Sequence, residues 1–373
     1  MFNRDFSISN RSALLSVVTF LCMIGLVSVY SSSGVTAADK FHDELHYVTK
    51  QALVGIFGFT IIFAMGHARL RTLDRIPIFM YIFAFVLMCL VFVPSIGHHT
   101  KGATRWIRLG PLGFQPSELV KIGVILLTAK ALTRPSCNMS KFSSGLLPVL
   151  LLYVPAAVAL LAQPDFGTAA VLLLVVLAMT FLAGLPMRFV GIGCGTALAG
   201  LVVAVVASPY RFRRLMTFLD PWSEYEGSGF QIVQSFLGFQ SGGWFGKGIA
   251  ASRQKLYFLP DAHTDFILSV FAEEYGAFGT LTICLMFAYL AYLGFRIAQC
   301  QMDPFRRLVA YGLTLQICFQ SLINMGVTLG LMPTKGIPLP FVSNGASSLL
   351  SFLFCVGILA RLAQPDAAHE EKR

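Results

Sequence analysis

An all-α, polytopic integral membrane protein is the fold class this sequence predicts, and three observations lead there. The 373-residue chain is 56% hydrophobic and only 12% charged, with a mean hydropathy of +0.72, a balance foreign to soluble globular chains. Apolar runs near ~20 residues recur along it, each long enough to cross a hydrocarbon core of ~30 Å. Basic residues gather in the short connections between alternate runs, the pattern that sets membrane orientation. The formal charge of +10 therefore reads as a topology signal, and nucleic acid is excluded as a partner.

Ten spans fit, at 12–32, 49–66, 76–95, 117–133, 145–163, 167–185, 189–208, 265–295, 307–329 and 345–361. The first is preceded by Arg4 and Arg11 and followed by no small-residue cleavage pattern, so a retained helix is expected rather than a signal peptide. Arg69, Arg71 and Arg75 follow span two, and Lys130, Arg134 and Lys141 surround the end of span four. Arg188 follows span six, Arg296, Arg306 and Arg307 follow span eight, and Arg361 follows span ten. All share one side if both termini are cytoplasmic, which also places the polar tail 364–373 inside. The outer connections are then 33–48, 96–116, a tight turn near 163–167, a large loop at 209–264 between helices 7 and 8, and 330–344. Residues 1–373 read as one membrane domain.

The eight cysteines add no framework. Cys22, Cys89, Cys194, Cys284, Cys318 and Cys355 fall within spans, while Cys137 and Cys300 fall in cytoplasmic connections. None lies in an outer loop and no pair has metal-ligand spacing, so small apolar fillers are the expectation. His98 and His99 are adjacent, and His42 and His46 flank Asp43 and Glu44, which suits interface polarity better than zinc. No internal repeat is evident, which disfavours a transporter of duplicated halves.

The loop 209–264 is the richest outer segment. It holds Trp222 and Trp244 with Arg211, Arg213, Arg214, Lys247, Arg253 and Lys255, on the side where the positive-inside rule disfavours base. An anionic partner at the outer membrane surface is the economical explanation. Ahead of span four, Arg105-Trp106-Ile-Arg108 suits a headgroup layer, where an indole sits half in lipid and guanidiniums meet phosphate. A plain interfacial anchor explains it equally well.

Pro116 and Ser117 open a helix in which Glu118 complements the dipole, and Glu118 and Lys121 share one face and can pair inside the bundle. Charges at membrane depth cost at least ~2.5 kcal/mol each, so such groups are functional candidates. Gln163-Pro164-Asp165-Phe166-Gly167-Thr168 reads as a turn with Asp165 capping span six.

Asp265 stands where the outer loop enters span eight, after Leu259-Pro260-Asp261-Ala262-His263-Thr264. Poor solvation there can raise a carboxylate toward a useful base. A helix cap by Thr264 or Asp265 is the competing reading, and on the residues alone the favoured one. Glu273 and Glu274 lie deeper in span eight and need partners such as Lys121 or arginines. The run from Pro333 through Lys335, Gly336, Pro338, Pro340, Ser343 and Asn344 to Ser347 and Ser348 is too proline-rich for a helix. Backbone of that kind at depth must pack on protein or line a wet cavity, so it reads as a re-entrant wall with Lys335 and hydroxyls facing phosphate or sugar.

These pieces together resemble the SEDS family of peptidoglycan polymerases, FtsW and RodA. The resemblance runs from Val29-Tyr-Ser-Ser-Ser33 to span ten, through Arg105-Trp106-Ile-Arg108, Gln115-Pro116-Ser117-Glu118, Gln163-Pro164-Asp165-Phe-Gly167-Thr168, Phe218-Leu-Asp-Pro-Trp222, Leu259 to Phe266 and 334–348. Trp244-Phe-Gly-Lys-Gly248, Ala262-His263-Thr264-Asp265-Phe266 and Thr334-Lys335-Gly336 are closer to the FtsW division branch than to RodA. The family's usual Ser-Tyr-Gly-Gly-Ser-Ser is here Ser343-Asn344-Gly345-Ala346-Ser347-Ser348.

The resemblance implies polymerisation of lipid II into a growing glycan strand at the outer face of the bacterial cytoplasmic (inner) membrane, at the septum in cell division. Asp265 matches the family's catalytic aspartate. Arg105, Trp106, Arg108, Arg213, Lys335, Ser343 and Ser347 become candidates for substrate, and Glu118, Lys121, Asp165, His263 and Glu274 for the polar core. It implies no organic cofactor; Mg²⁺ or Mn²⁺ could share the pyrophosphate charge, although no metal cage is visible. A class B penicillin-binding protein as transpeptidase, other divisome proteins and membrane lipids are the implied partners. The alternatives are a RodA-like elongation polymerase, a lipid II flippase, which would need no general base, or a division scaffold, which would tolerate loss of Asp265.

Overall fold

The computed structural model describes residues 2–364 except 101–102, 110–111, 207–208, 226, 228, 256–258 and 261. Inside the helices and strands, the side chains of 2–9, 71, 99–100, 103, 108–109, 112, 194, 196–198, 201, 203–205, 209–211 and 214 also lie outside the description. The expected tail thus falls outside the described residues beyond Gln364, as does Asp261.

Among the described residues, helices lie over the expected spans. They are α1 (Phe2–Phe41), α2 (His46–Gly66), α3 (Leu70–Leu90), α4 (Pro116–Leu132), α5 (Leu147–Ala162), α6 (Phe166–Leu182), α7 (Met187–Val206), α10 (Ile267–Gln299), α11 (Pro304–Thr328) and α12 (Ala346–Leu362). Six are long and apolar enough to cross a membrane: α1, α2, α3, α5 with its preceding π-turn Phe142–Leu146, α10 and α11. Helices α6 and α12 are apolar but shorter. The chain is a multi-pass membrane protein.

Local chemistry sets the helix starts. Pro116 and Pro304 occupy first turns, where the missing N–H costs nothing. Asp165 caps α6 as expected, accepting from Thr168 N and Oγ1 at 3.2 and 2.9 Å, and Asp303 caps α11. The N-cap of α10, however, falls on Phe266 and makes no side-chain cap hydrogen bond. Neither Thr264 nor Asp265 therefore occupies the N-cap position itself.

Three features depart from the all-helical expectation. Residues 96–116 were expected as loop, yet they hold an antiparallel sheet of β1 (Gly97–Thr100), β2 (Ala103–Leu109) and β3 (Leu112–Phe114) in sequence order. Thr104, Trp106 and Ile107, β-branched or aromatic residues that favour a pleated strand, are the local reason for β2.

The large outer loop also contains two helices, α8 (Pro209–Leu219) and α9 (Phe230–Gly242). Helix α9 buries Ile232, Val233, Gln234, Ser235, Gly238 and Gly242 and packs on α10. It is part of the bundle's outer layer rather than a free loop.

Helix α10 is broken at Gly276, whose φ of 70° and ψ of −167° are open only to glycine. The loop 243–248 enters the break and pairs the freed backbone groups. Lys247 N and Gly248 N donate to the carbonyls of Glu273 and Glu274 at 2.9 and 3.0 Å, and Ala277 N and Phe278 N donate to those of Gly243 and Trp244 at 2.8 and 3.2 Å. Glu273 and Glu274 thus sit on a short outer segment ahead of the break, not deep within one continuous span.

A Cβ at Gly276 would stand 2.4 Å from Gly246 N and 2.5 Å from Trp244 O. Gly276→Ala is expected to lose at least ~1–3 kcal/mol from backbone strain alone. Thermal unfolding in detergent should show a lower midpoint for it than for Ala277→Gly, one residue away.

Candidate active site

Asp265 and the segment 333–345 form one unit. That segment is non-helical, and Ile337, Leu339, Phe341, Val342 and Ser343 are buried in it. Its backbone groups find partners on neighbouring helices. Asn324 of α11, 1% exposed, donates through Nδ2 to Asp265 O at 2.8 Å and to Ile337 O at 2.7 Å. One amide thereby ties the chain at the aspartate to the re-entrant-like wall. Gln320, one turn earlier, donates to Pro338 O at 3.0 Å.

The carboxylate faces the wall closely. A Cβ on Gly336 would lie 2.9 Å from Asp265 Oδ2, so glycine gives this carboxylate its space. Asn344 N donates to His263 O at 3.0 Å, closing the wall onto the approach to Asp265. That contact uses backbone only and survives the Asn344 departure from the family pattern. The His263 ring lies 5.0 Å from the Tyr47 ring of α2, so His263 packs and ties rather than pointing alone into water.

Lys335 reaches over the Phe166 ring at 5.2 Å, and a Cβ on Gly167 would meet Ile337 Cδ1 at 2.8 Å. The start of α6 therefore backs the wall. On its far side Arg105 donates to Gln163 O at 2.8 Å and Pro164 O at 2.6 Å, with Asp165 Oδ1 4.0 Å away. The guanidinium is a staple holding sheet and turn together, and its side chain is 28% exposed. Trp106 lies on β2 with its ring against Gly113, half-buried.

The two serines proposed for substrate are engaged within the protein. Ser343 Oγ accepts from Leu339 N at 2.8 Å. Ser347 Oγ accepts from Gln115 N at 3.1 Å and donates to Gly113 O at 3.2 Å, locking β3 to α12. Arg213 is exposed on α8 and, among the described residues, makes no contact with this cluster. The side chain of Arg108 lies outside the described residues.

Glu118 and Lys121 pair as their spacing suggested. Lys121 Nζ is 2.9 Å from Glu118 Oε2 and donates to Glu118 Oε1 and Gln320 Oε1, both at 3.0 Å. The two side chains are 6% and 2% exposed. Through Gln320, which also holds Pro338, the buried pair supports the wall from beneath.

Glu273 and Glu274 have partners other than those expected. Glu273 accepts from Lys247 Nζ at 2.7 Å, from Ser241 and Ser252 hydroxyls, and from the backbone N–H groups of Arg253 and Gln254. Glu274 takes Lys255 Nζ at 3.3 Å and the Ser31 hydroxyl of α1. Lys121 is already occupied by Glu118. Two outer lysines thus answer to buried acids, which removes them from the charge left for an anionic partner.

Among the described residues no three His, Cys, Asp or Glu side chains converge as a metal site.

Comparison with known proteins now bears on the site. A family model described as cell cycle protein, for FtsW, RodA and SpoVE, matches residues 12–367. The chain belongs to this family. A probable peptidoglycan glycosyltransferase FtsW of Geobacter sp. (strain M18) is 41% identical over 351 residues, covering 94% of this chain and 95% of its own. Its counterpart in Legionella pneumophila is 37% identical over 352 residues, covering 94% and 89%.

Among solved structures, a chain from work on structural coordination of polymerization and crosslinking by a peptidoglycan synthase complex matches with a TM-score of 0.77 at 32% identity, over 94% of this chain and 96% of its own. The Thermus thermophilus rod shape determining protein RodA matches at 0.69 and 29%, over 94% and 95%. The family and its SEDS fold are those the motifs suggested.

Asn324, Gln320 and Gly336 were not singled out as site residues. A readable signal existed: Gln316, Gln320 and Asn324 repeat every four residues along an otherwise apolar span, a polar stripe facing protein.

Two outcomes are expected. Glu118→Gln leaves a buried ammonium without its countercharge and should destabilise by about 3–5 kcal/mol, whereas Glu118→Leu with Lys121→Met should cost less. A double-mutant cycle by thermal unfolding tests this. Gly336→Ala should retain folding but shift Asp265 and lower turnover by about 10²-fold, the scale of a 1 Å misplacement. Single-turnover assays on the purified protein measure it.

Proposed function

We propose that this chain is a peptidoglycan glycosyltransferase that polymerises lipid II at the outer face of the bacterial cytoplasmic membrane, for septal wall synthesis, with Asp265 as general base. The observation that carries the reading is the placement of Asp265: its backbone is fixed by Asn324, and its carboxylate is set against Gly336 where the outer loop meets the bundle. The FtsW name of the relatives at 41% identity supports the septal role.

In this mechanism the Asp265 carboxylate takes the proton of the acceptor GlcNAc 4-hydroxyl. The oxygen attacks the anomeric carbon of the donor MurNAc, and the bond to undecaprenyl pyrophosphate breaks with its electron pair on the leaving phosphate. Attack from the opposite face inverts the α link to β. Lys335, adjacent in sequence to the Gly336 that faces the base, is proposed to meet the developing pyrophosphate charge. Arg105 contributes by holding the Gln163–Asp165 turn, and Glu118, Lys121 and Gln320 by supporting the wall. No step is assigned to a metal ion.

The proposed topology has ten crossings with both termini cytoplasmic, in line with the basic connections. A class B penicillin-binding protein is the proposed crosslinking partner, supported by the likeness to a chain from a synthase complex, and other divisome proteins are proposed to join it.

The test is polymerisation of lipid II by purified protein, with and without such a transpeptidase, in Mg²⁺ or Mn²⁺. Asp265→Asn is expected to lower glycan formation by about 10²–10⁴-fold, the usual contribution of a general base, with unchanged thermal unfolding. Equal polymer from both proteins removes Asp265 from the mechanism. No polymer from wild type in any condition favours a flippase or scaffold.

A further inference from the structure

The far end of the bundle holds a cavity that the polymerase reading does not use. It measures about 740 Å³ and lies where α4 ends and the π-turn before α5 begins, walled by Pro135, Ser136, Asn138, Lys141, Ser143 and Ser144 among others, with Ala183 of the α6–α7 turn. Helix α4 starts beside Ser347 and runs 17 residues to this cavity, a rise of ~25 Å, so the cavity sits on the face opposite the outer sheet. In the proposed orientation that face is cytoplasmic.

Its electrostatics are one-sided. Residues 128–147 contain Lys130, Arg134 and Lys141, residues 181–193 contain Arg188, and neither stretch contains an acid. Arg134 and Lys141 are exposed and, among the described residues, have no ion-pair partner. Arg134 directly precedes the wall residues Pro135 and Ser136, and its guanidinium pulls down the Cys137 thiol that burial pushes up. The nearby carboxylate Asp74 is instead approached by Arg306 at 3.6 Å.

The cavity is also built. Arg188 donates to Ser140 O at 2.9 Å and ties the α6–α7 turn to the 134–146 connection. Asn138 Oδ1 accepts from Ser140 N at 3.0 Å, and Gly145 N donates to Lys141 O at 3.0 Å. Close in sequence to the lining residues Lys141, Ser143, Ser144 and Ala183, Phe142, Leu147, Phe181, Leu182 and Met187 are exposed apolar groups. A polar, cationic hollow with such apolar neighbours at the membrane surface matches a ligand that is phosphate at one end and acyl chain at the other.

We propose that this cavity is a binding site for the phosphodiester headgroup of an anionic phospholipid, with Arg134 and Lys141 as its charge partners, Ser143 as a hydroxyl donor and the acyl chains along Phe142 and Leu147. The site stands apart from Asp265 and does not depend on the polymerase reading.

The full chain, reconstituted in phosphatidylcholine bilayers with a spin-labelled phosphatidylglycerol tracer, tests it by the fraction of tracer held immobile at the protein. Wild type is expected to hold phosphatidylglycerol in preference to spin-labelled phosphatidylcholine. Arg134→Gln with Lys141→Gln should weaken that association about fivefold per cation removed. Ser143→Trp, which fills the hollow without changing charge, should weaken it as well. Arg69→Gln with Arg75→Gln removes equal charge from another connection and should leave it intact. Thermal unfolding of each variant identifies any loss due to misfolding, in which case the tryptophan variant decides. Equal loss in the Arg69 and Arg75 control, or a preference that survives both cavity variants, overturns the site. Displacement of the tracer by millimolar inorganic phosphate overturns the lipid assignment in favour of a soluble phosphate ligand.

Discussion

Backbone amides and carbonyls that leave a helix inside an apolar bundle must find partners, and this protein's site is built at the places where they do. In hydrocarbon no water satisfies them, and each orphan costs several kcal/mol. The segment 333–345 is held by Asn324, Gln320, Ser343 and the His263 carbonyl. The break in α10 is filled by the loop 243–248. Both irregular regions border Asp265: one sets its carboxylate against Gly336, and the other ends the short outer helix that Asp265 precedes.

Charge follows the same rule. Among the described residues, four of the buried charged groups show two kinds of pairing. Glu118 and Lys121 neutralise each other within one helix face, while Glu273 and Glu274 draw Lys247 and Lys255 in from the outer loop. Each of these acids would be expensive alone. The loop lysines therefore act first as structural countercharges, tying the outer loop to α10 and, through Ser31, to α1. At the wall Lys335 is seated over Phe166, beside the glycine that makes room for Asp265.

The two faces of the bundle differ in how they hold cations. On one face Arg105 is spent on the Gln163–Pro164 turn carbonyls, and Lys247 and Lys255 on buried carboxylates. On the opposite face Lys141 lines a hollow with no acid among its lining residues, and Arg134 directly precedes its wall residue Pro135. The first arrangement ties outlying segments to the bundle. The second leaves charge exposed at the membrane surface, where a phosphate-bearing lipid is the abundant counterion.

The membrane class, the helix positions and the polar motifs were legible in the sequence because hydrophobic length and charge spacing are properties of consecutive residues. The Glu118–Lys121 pair and the Asp165 cap were legible for the same reason, each partner lying three residues from the other. The sheet at 97–114, the burial of α9 and the break at Gly276 were not, since a loop's length and polarity do not reveal what packs against it. Nor could the sequence pair Glu273 with Lys247 across 26 positions, or Ser347 with Gly113 across 234. Sequence alone marked Asp265 as a carboxylate at a membrane boundary, where a cap was the simpler reading. Only the tertiary structure moved the cap to Phe266, fixed the aspartate's backbone through Asn324 and placed Gly336 against its carboxylate, because those contacts join segments that distance along the chain keeps apart.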